Sequence, residues 1–559
     1  MRKPKCLLAA LLIGIACVPL AGTSWGAVIL ADRPDIKIRD ANTSIEAVGR
    51  ECAVTVHPDD WKTVLMSVIS SADNSCIEWV STDGGISWKG DGVNDHSADI
   101  GDPSVAILKG SPTRYFVQGI AKDFGQRVVF TDSPSAPFSN QAIVISGATQ
   151  NTDKGFLCAD NTSSPQSGNM YSLWYQQGAG LWFRYSLAVD RGTVWIPASP
   201  TPLRSVGVCW GGVISIGVAP STTPPVLGHV YVAWPNSNTF HDAPSSITFK
   251  RSSDVPNFVP TGGIQVTNYP GGSFDPNAAL PGGLNSGANS IPSMVTDDHG
   301  NIYIAWCQHR MPSDGSGNDA QVYISKSTFP SQGDVWDTPV PATASTANQW
   351  LPWIAWDNEA KAIVVMYHDD RNNPNLAEVY LTASYDRGTS FGTNFSELKV
   401  SDVAWSGNSD VGEYHGIASG GGVAYPMWCD DRETTVKTFT SPTLIGGIES
   451  TSIVPTISHF CTSSGSARLR FQADWWTVAS MEGFDKLTVT RPGGPPSSVT
   501  ASSTSITHQL VIESLPCING TWTFQVESNK GVLKSQSAVI NVSVSCITCP
   551  PCPPPCDLE

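Results

Sequence analysis

The chain has 559 residues, more than one ordinary domain holds, and its net charge of −16 repels phosphate backbones, which excludes nucleic acid as the expected partner. With 50 Gly, 41 Pro and 19 Trp, and no sustained 3.6-residue apolar period, the composition describes an all-β protein rich in turns and large buried aromatics.

In chain order, residues 1–27 read as a targeting segment rather than as fold. Arg2, Lys3 and Lys5 precede an apolar run from Leu7 to Leu20, and small residues follow at 21–27, the layout of a secretory signal peptide. A lipid anchor on Cys17 is the alternative, with Gly14 a poor residue three places upstream. No later stretch has the ~18 uninterrupted apolar residues of a membrane helix. The expected product is therefore exported, to the extracellular space, the periplasm or the cell surface. Export permits disulfides, and Cys52 with Cys76 and Cys461 with Cys517 are pairs that fit within domains.

From 28 to 443 a unit of short strands repeats. Its first strand is of the type Pro103–Ile107. Second strands start near Thr63, Arg114, Met170, Val230, Ile302, Ala362 and Val423, roughly 50–70 residues apart, the period of propeller blades. Third strands such as Ile77–Val80, Leu181–Tyr185 and Glu378–Thr382 run into a characteristic turn. Two turns are near-identical in pattern: Ser81-Thr-Asp83-Gly-Gly85-Ile-Ser-Trp88 and Ser384-Tyr-Asp386-Arg-Gly388-Thr-Ser-Phe391. A degenerate third is Ala188-Val-Asp190-Arg-Gly192-Thr-Val-Trp195, and weaker versions lie at 131–138, 252–258 and 327–336. In such a turn the Asp accepts backbone N–H bonds within its own loop, the Gly takes φ > 0, and the aromatic folds back to bury its ring. The seventh unit has three strands, ending at 435–440. Asp35–Asp40 looks like the fourth strands at 396–402 and 263–268, so strands from both ends are expected to close the ring. The expected fold class is an all-β propeller, seven blades favoured and six the alternative, followed by a small β-sandwich.

These turns resemble the Asp-box, S-x-D-x-G-x-x-W/F, of sialidases and related propellers. The resemblance implies a propeller over 28–443 with the Asp-boxes as scaffold. In a four-stranded antiparallel blade the third–fourth turns and the interblade loops lie at opposite ends, so chemistry is expected away from the boxes. Three second strands end alike at that far end, each with an Arg four residues after an aromatic: Trp306-Cys-Gln-His-Arg310, Tyr367-His-Asp-Asp-Arg371 and Trp428-Cys-Asp-Asp-Arg432. Interblade loops add Arg50, Glu51, Asp95, His96, Asp102, Lys154, Asp275 and Glu413-Tyr414-His415. Arginines grip carboxylates bidentately. Sialidases use three arginines on the sugar carboxylate, a Tyr activated by a Glu as nucleophile, and an Asp as acid/base. The resemblance thus nominates Arg310, Arg371 and Arg432 as the grip, Tyr414 with Glu413 as the nucleophile pair, and Asp95 or Asp102 as acid/base. The structural alternative pairs the arginines with their neighbours Asp369, Asp370, Asp430 and Asp431. The family's Arg-Ile-Pro motif is absent from this chain; the nearest N-terminal arginines are Arg33, Arg39 and Arg50. The expected function is a non-catalytic glycan- or protein-binding extracellular protein, with an exo-α-sialidase-type hydrolase as the alternative.

Residues 444–545 carry alternating runs at 467–472, 486–489, 522–526 and 538–544, as in a small immunoglobulin-like β-sandwich. The tail, 546–559, is a Cys/Pro stretch suited to a stiff polyproline segment carrying interchain or tail disulfides, a route to covalent self-association. No cofactor is expected. Asp369–Asn375 is oxygen-rich enough for Ca²⁺ but reads more simply as a polar turn, and histidines without H-x-x-x-H spacing give no zinc motif.

Overall fold

The computed structural model describes residues 34 to 546 apart from 44, 91–100, 148–150, 206, 218–228, 238–241, 275–287, 315–318, 390, 392–395, 408, 446–453, 462–466, 477–482, 503–506, 531–532 and 537–539. Asp95, His96, Asp275, the leader and the tail beyond Cys546 lie outside the described residues. The chain divides into two compact units, one spanning Ile29–Gly447 and the other containing Ile448–Glu559.

The first unit is a ring of antiparallel sheets, the β-propeller architecture. Among the described residues the innermost strands are Gly49–His57, Ser104–Leu108, Thr152–Ala159, Val213–Gly217, Ser293–Thr296, Gln349–Asp357 and Gly416–Gly420. Each lies beside the next, and the last lies beside the first. The second strands are covered on both faces by neighbouring sheets, so they read as continuous apolar runs rather than alternating ones. Ala362–Asp369 and Val423–Asp430 are buried along their whole length. The ring closes with strands from both ends of the unit: Ile36–Lys37 pairs antiparallel with Lys437–Thr440, Ile36 opposite Thr440. Arg432 seals this seam by pairing with both Asp35 and Asp430.

The turns fold as their composition dictates. Ser81 Oγ donates to Asp83 at 2.8 Å and accepts the Gly85 N–H at 2.9 Å, while Asp83 accepts the amides of Ile86 and Ser87. Gly85 has φ of 79°, and Trp88 folds back to donate Nε1–H to its carbonyl at 3.1 Å. Ser384, Asp386 and Gly388 repeat the first two contacts, with Phe391 buried. The degenerate copy differs in length. Gly192 N–H reaches back to Ser186 Oγ at 2.9 Å, two residues before Ala188, and Trp195 caps Gly192. The turn of Ser327, Gly333 and Trp336 is built the same way.

In the second unit, a sheet of Val454–Cys461, Ala467–Trp476 and Thr507–Pro516 and a sheet of Pro496–Ser502, Gly483–Thr490, Gly520–Lys530 and Leu533–Gln536, with Ile540–Val544 on its long strand, share one core of Leu469, Leu487, Val489, Ile512, Trp522, Phe524 and Val544. That is a sandwich. The cysteines depart from expectation. Cys517 is bonded to Cys546, which leaves Cys461 without it, and Cys52 and Cys76 are separate buried thiols. Cys52 instead lies beside Cys429 of the last sheet and His415 just ahead of that sheet's inner strand.

Candidate functional site

The interblade end of the ring is shaped by irregular backbone in the inner strands. Pairing slips between Arg50 and Ala53, around Lys154 where Trp174 and Tyr175 pair with Gly155 and Asp153, and opposite Trp350 and Trp353. At these bulges Glu51, Lys154 and Leu351 take φ of 56°, 34° and 49°, and Asp102, just ahead of its strand, takes 56°. Left-handed φ is costly for side chains of this size, and bulges re-aim side chains next to functional sites. Here they break the strict two-residue alternation of the strands, and Glu51, Asp102, Asp153, Lys154 and Glu413, drawn from different sheets, meet around the ring axis.

The meeting is electrostatically unusual. Asp153 and Glu51 each adjoin Asp102, and Glu413 adjoins Glu51, so the four carboxyls act on one another directly. Carboxylates gathered this closely repel one another when ionised, which favours keeping protons among them. Burial, then the charges of Asp102 and Glu413, raises Glu51 well above the usual carboxylate range. Burial and Asp102 raise Asp153 and Glu413 as well. Lys154 is the cation among them, pushed down to about 8 by burial against the pull of the four carboxylates. Its backbone N–H donates to Asp102 at 3.0 Å, and its ammonium lies 2.8 Å from the centre of the Tyr414 ring.

A cavity of about 110 Å³ opens beside this row. Asp102, Asp153 and Glu413 line it together with Trp210, Phe274 and Ile291 and the polar Asn289, Ser290 and Ser237. Asn289 anchors the wall by donating to the Glu413 carbonyl. A small apolar surface with a few convergent polar groups is the usual form of a small-molecule site. Below it the axis is filled by Phe156, Trp353 and Tyr414, with ring centres 6.3 Å apart along the stack.

Of the residues nominated from sequence, Asp102, Glu413 and Tyr414 come together here. Tyr414 is buried, its hydroxyl is 3.5 Å from the Pro103 carbonyl, and burial followed by the charge of Glu51 raises its pKa well above the ordinary value. The three arginines do not join them. Arg310 donates to the carbonyls of Thr346 and Ala347. Arg371 pairs with Asp369 and Glu397, both at 2.7 Å, and stacks on Tyr380. Arg432 pairs with Asp430 and Asp35 and stacks on Phe439. The shared pattern has a local cause. Residues i and i+2 of a strand lie on one face, so Trp306 Nε1 donates to Gln308 and Trp428 Nε1 to Asp430, as Trp234 does to Asn236. Arg432 then folds back on the same acid, Asp430, and in the strand of Tyr367, whose hydroxyl donates to Glu397, Arg371 folds back on Asp369. In the oxygen-rich turn, Asp370 is occupied by Asn348, and Asn372 by Glu378 and Tyr380. Asp153, Trp210 and Phe274 were not singled out from sequence. An acid at the start of an inner strand is the only signal that marks Asp153, and an aromatic in an interblade loop the only one that marks Trp210.

No protein-family model matches the chain, and no curated protein matches it. Among solved structures, a mutant of AofleA from Arthrobotrys oligospora is 11% identical with a TM-score of 0.36, covering 66% of this chain and 96% of that one. Trypanosoma rangeli sialidase in complex with sialic acid is 12% identical with a TM-score of 0.35, covering 94% and 90%. An exo-beta-1,3-galactanase from Phanerochaete chrysosporium with galactose is 8% identical with a TM-score of 0.33, covering 91% and 99%. These likenesses are loose, and the functional reading rests on the chain's own geometry. No helix among the described residues is long and apolar enough to cross a membrane.

Proposed function

We propose that the protein is an exported, seven-bladed β-propeller with an immunoglobulin-like sandwich as spacer, and that its acidic cleft binds an uncharged, hydroxyl-rich glycan. The row of adjoining carboxyls Asp153, Asp102, Glu51 and Glu413 beside Trp210 carries this reading. Carboxylates accept bonds from sugar hydroxyls, and an indole face covers the apolar face of a sugar ring. Export rests on the leader-like residues 1–27, and the blade count on the cyclic order of the inner strands.

The same row disfavours an acidic sugar. Beyond Lys154 the cleft offers, among the described residues, no cation to hold an anionic sugar, and the arginines that would supply one are engaged elsewhere. A Tyr414 hydroxyl raised in pKa is the reverse of an activated nucleophile. Hydrolysis of a neutral glycoside is the second reading, because Asp153 and Glu413 line the cleft with raised pKa values, as a general acid requires.

The test is a panel of neutral and sialylated oligosaccharides offered to the wild type, Trp210→Ala and Asp153→Asn, with released reducing sugar measured in parallel. Neutral glycans should bind, with affinity reduced roughly tenfold or more in Trp210→Ala. Reducing-sugar release abolished in Asp153→Asn would establish the hydrolase reading. Binding confined to sialosides and lost in Arg371→Lys would overturn both.

A further inference from the structure

A second cluster lies at the seam between the first and last sheets and plays no part in the cleft. Cys52 belongs to the inner strand Gly49–His57. Cys429 lies in the second strand of the last sheet, Val423–Asp430, and His415 immediately precedes that sheet's inner strand. The two Sγ atoms and a ring nitrogen of His415 all lie within 4.8 Å of one another. All three side chains are sealed, at 0%, 0% and 1% exposure.

His415 Nε2 has two contacts at 3.3 Å, the peptide N–H of Cys429 and the carbonyl of Val411, so its proton can sit on either ring nitrogen. A cation at the thiols would take the Nε2 lone pair and leave the ring proton on Nδ1, which faces His368 Nε2 at 2.7 Å. Metal-binding histidines are held in this way, with the far nitrogen donating to a fixed acceptor. Two sulfurs and one neutral nitrogen form a soft donor set that suits a thiophilic d¹⁰ ion and offers nothing to Ca²⁺ or Mg²⁺. The charges also suit burial, since two thiolates cancel a divalent ion. Oxygen atoms stand close to the sulfurs: the Met427 carbonyl 3.1 Å from Cys52 Sγ and the Thr438 hydroxyl 3.6 Å from Cys429 Sγ.

We propose that Cys52, Cys429 and His415 bind one thiophilic d¹⁰ cation, Zn²⁺ or Cu⁺, which staples the first sheet of the ring to the last. Binding displaces the two thiol protons and transfers no electrons. The ligands come from strands at the two ends of the ring, which is why they form no compact sequence motif.

The experiment measures metal content of the full-length protein purified without chelator from zinc- and copper-supplemented cultures. About one equivalent of zinc or of copper per chain is expected, and which metal is found distinguishes the two ions. Cys429→Ser should lose it. A buried Cys→Ser change can itself disturb folding, so the wild type is also stripped and reloaded with Co²⁺. A thiolate-to-cobalt charge-transfer band is expected there, and its absence from a folded His415→Gln variant would tie it to this site. Metal-free protein with both thiols titratable after denaturation would overturn the proposal. So would a Cys52–Cys429 disulfide, seen as a linked peptide lighter by two hydrogens.

Discussion

The two ends of the propeller use carboxylates in opposite ways. At the turn end, Asp83 is surrounded by donors. Burial works to raise its pKa, yet the bonds from Ser87, Ser81 and the amide of Ile86 outweigh it and hold the group below its ordinary value. At the cleft end, Glu51, Asp153 and Glu413 are surrounded by burial and by one another, and all three are raised. Local turn chemistry satisfies the first carboxylate completely, so it contributes stability and nothing more. The second group is brought together by tertiary structure and left with protons to share, which is the condition for recognising an outside ligand.

Replacing Lys154 by Met should break this contrast most strongly. Removing the cation from a buried charge cluster costs about 3–5 kcal/mol, and urea unfolding at neutral pH would measure it. The loss should shrink toward acid pH, where the carboxylates take up protons instead. A loss below about 1 kcal/mol would mean that proton sharing alone holds the row. At the turn end, Asp83→Ala should cost less, about 1.5–3 kcal/mol for its charge-assisted bonds, and leave glycan binding untouched. A change in binding there would dissolve the distinction between the ends. Smaller still, Arg310→Lys should cost about 1 kcal/mol by weakening the bonds to the Thr346 and Ala347 carbonyls. It should also leave binding unchanged, because the Thr346 and Ala347 carbonyls that it holds do not line the cleft.

The same contrast explains what could be read from sequence. The blade repeat was legible because each second strand is a continuous apolar run and the turns carry their own hydrogen-bonding code, as in Ser81–Trp88. Strand parity placed Glu51, Asp102, Lys154, Glu413 and Tyr414 at the end opposite the Asp-box turns, and the structure brings them together. The grouping within that end was not legible. It depends on bulges at Glu51 and Lys154, where non-glycine residues adopt positive φ, and no local pattern announces them. The arginines misled for a related reason. Their spacing after Trp306, Tyr367 and Trp428 is regular because each serves its own blade, and regularity of that kind marks scaffold as readily as function. The grouping of Cys52, His415 and Cys429 was not legible, because ring closure alone brings them together.

The smallest expected effect, a difference in pH slope, separates the two ends most cleanly. Asp83 is depressed in the folded state, so the stability it contributes is present above the unfolded value near 4 and is lost as pH falls through the folded one. Glu51 is raised, so the folded protein keeps a proton that the unfolded chain releases. Its contribution is full below the unfolded value and is lost as pH rises toward the folded one. Lys154, lowered to about 8, adds a rise in stability between that value and its unfolded value of about 10.5. Melting temperatures taken from about pH 3 to about pH 10 should therefore respond differently to two isosteric changes. Asp83→Asn should flatten the acid limb and leave the neutral region alone. Glu51→Gln should flatten the decline that sets in above the unfolded glutamate value of about 4.3 and raise the melting temperature at neutral and higher pH. If Glu51→Gln instead lowers stability throughout, Glu51 is ionised and held by Lys154, and the proton-sharing row gives way to a simple buried ion pair.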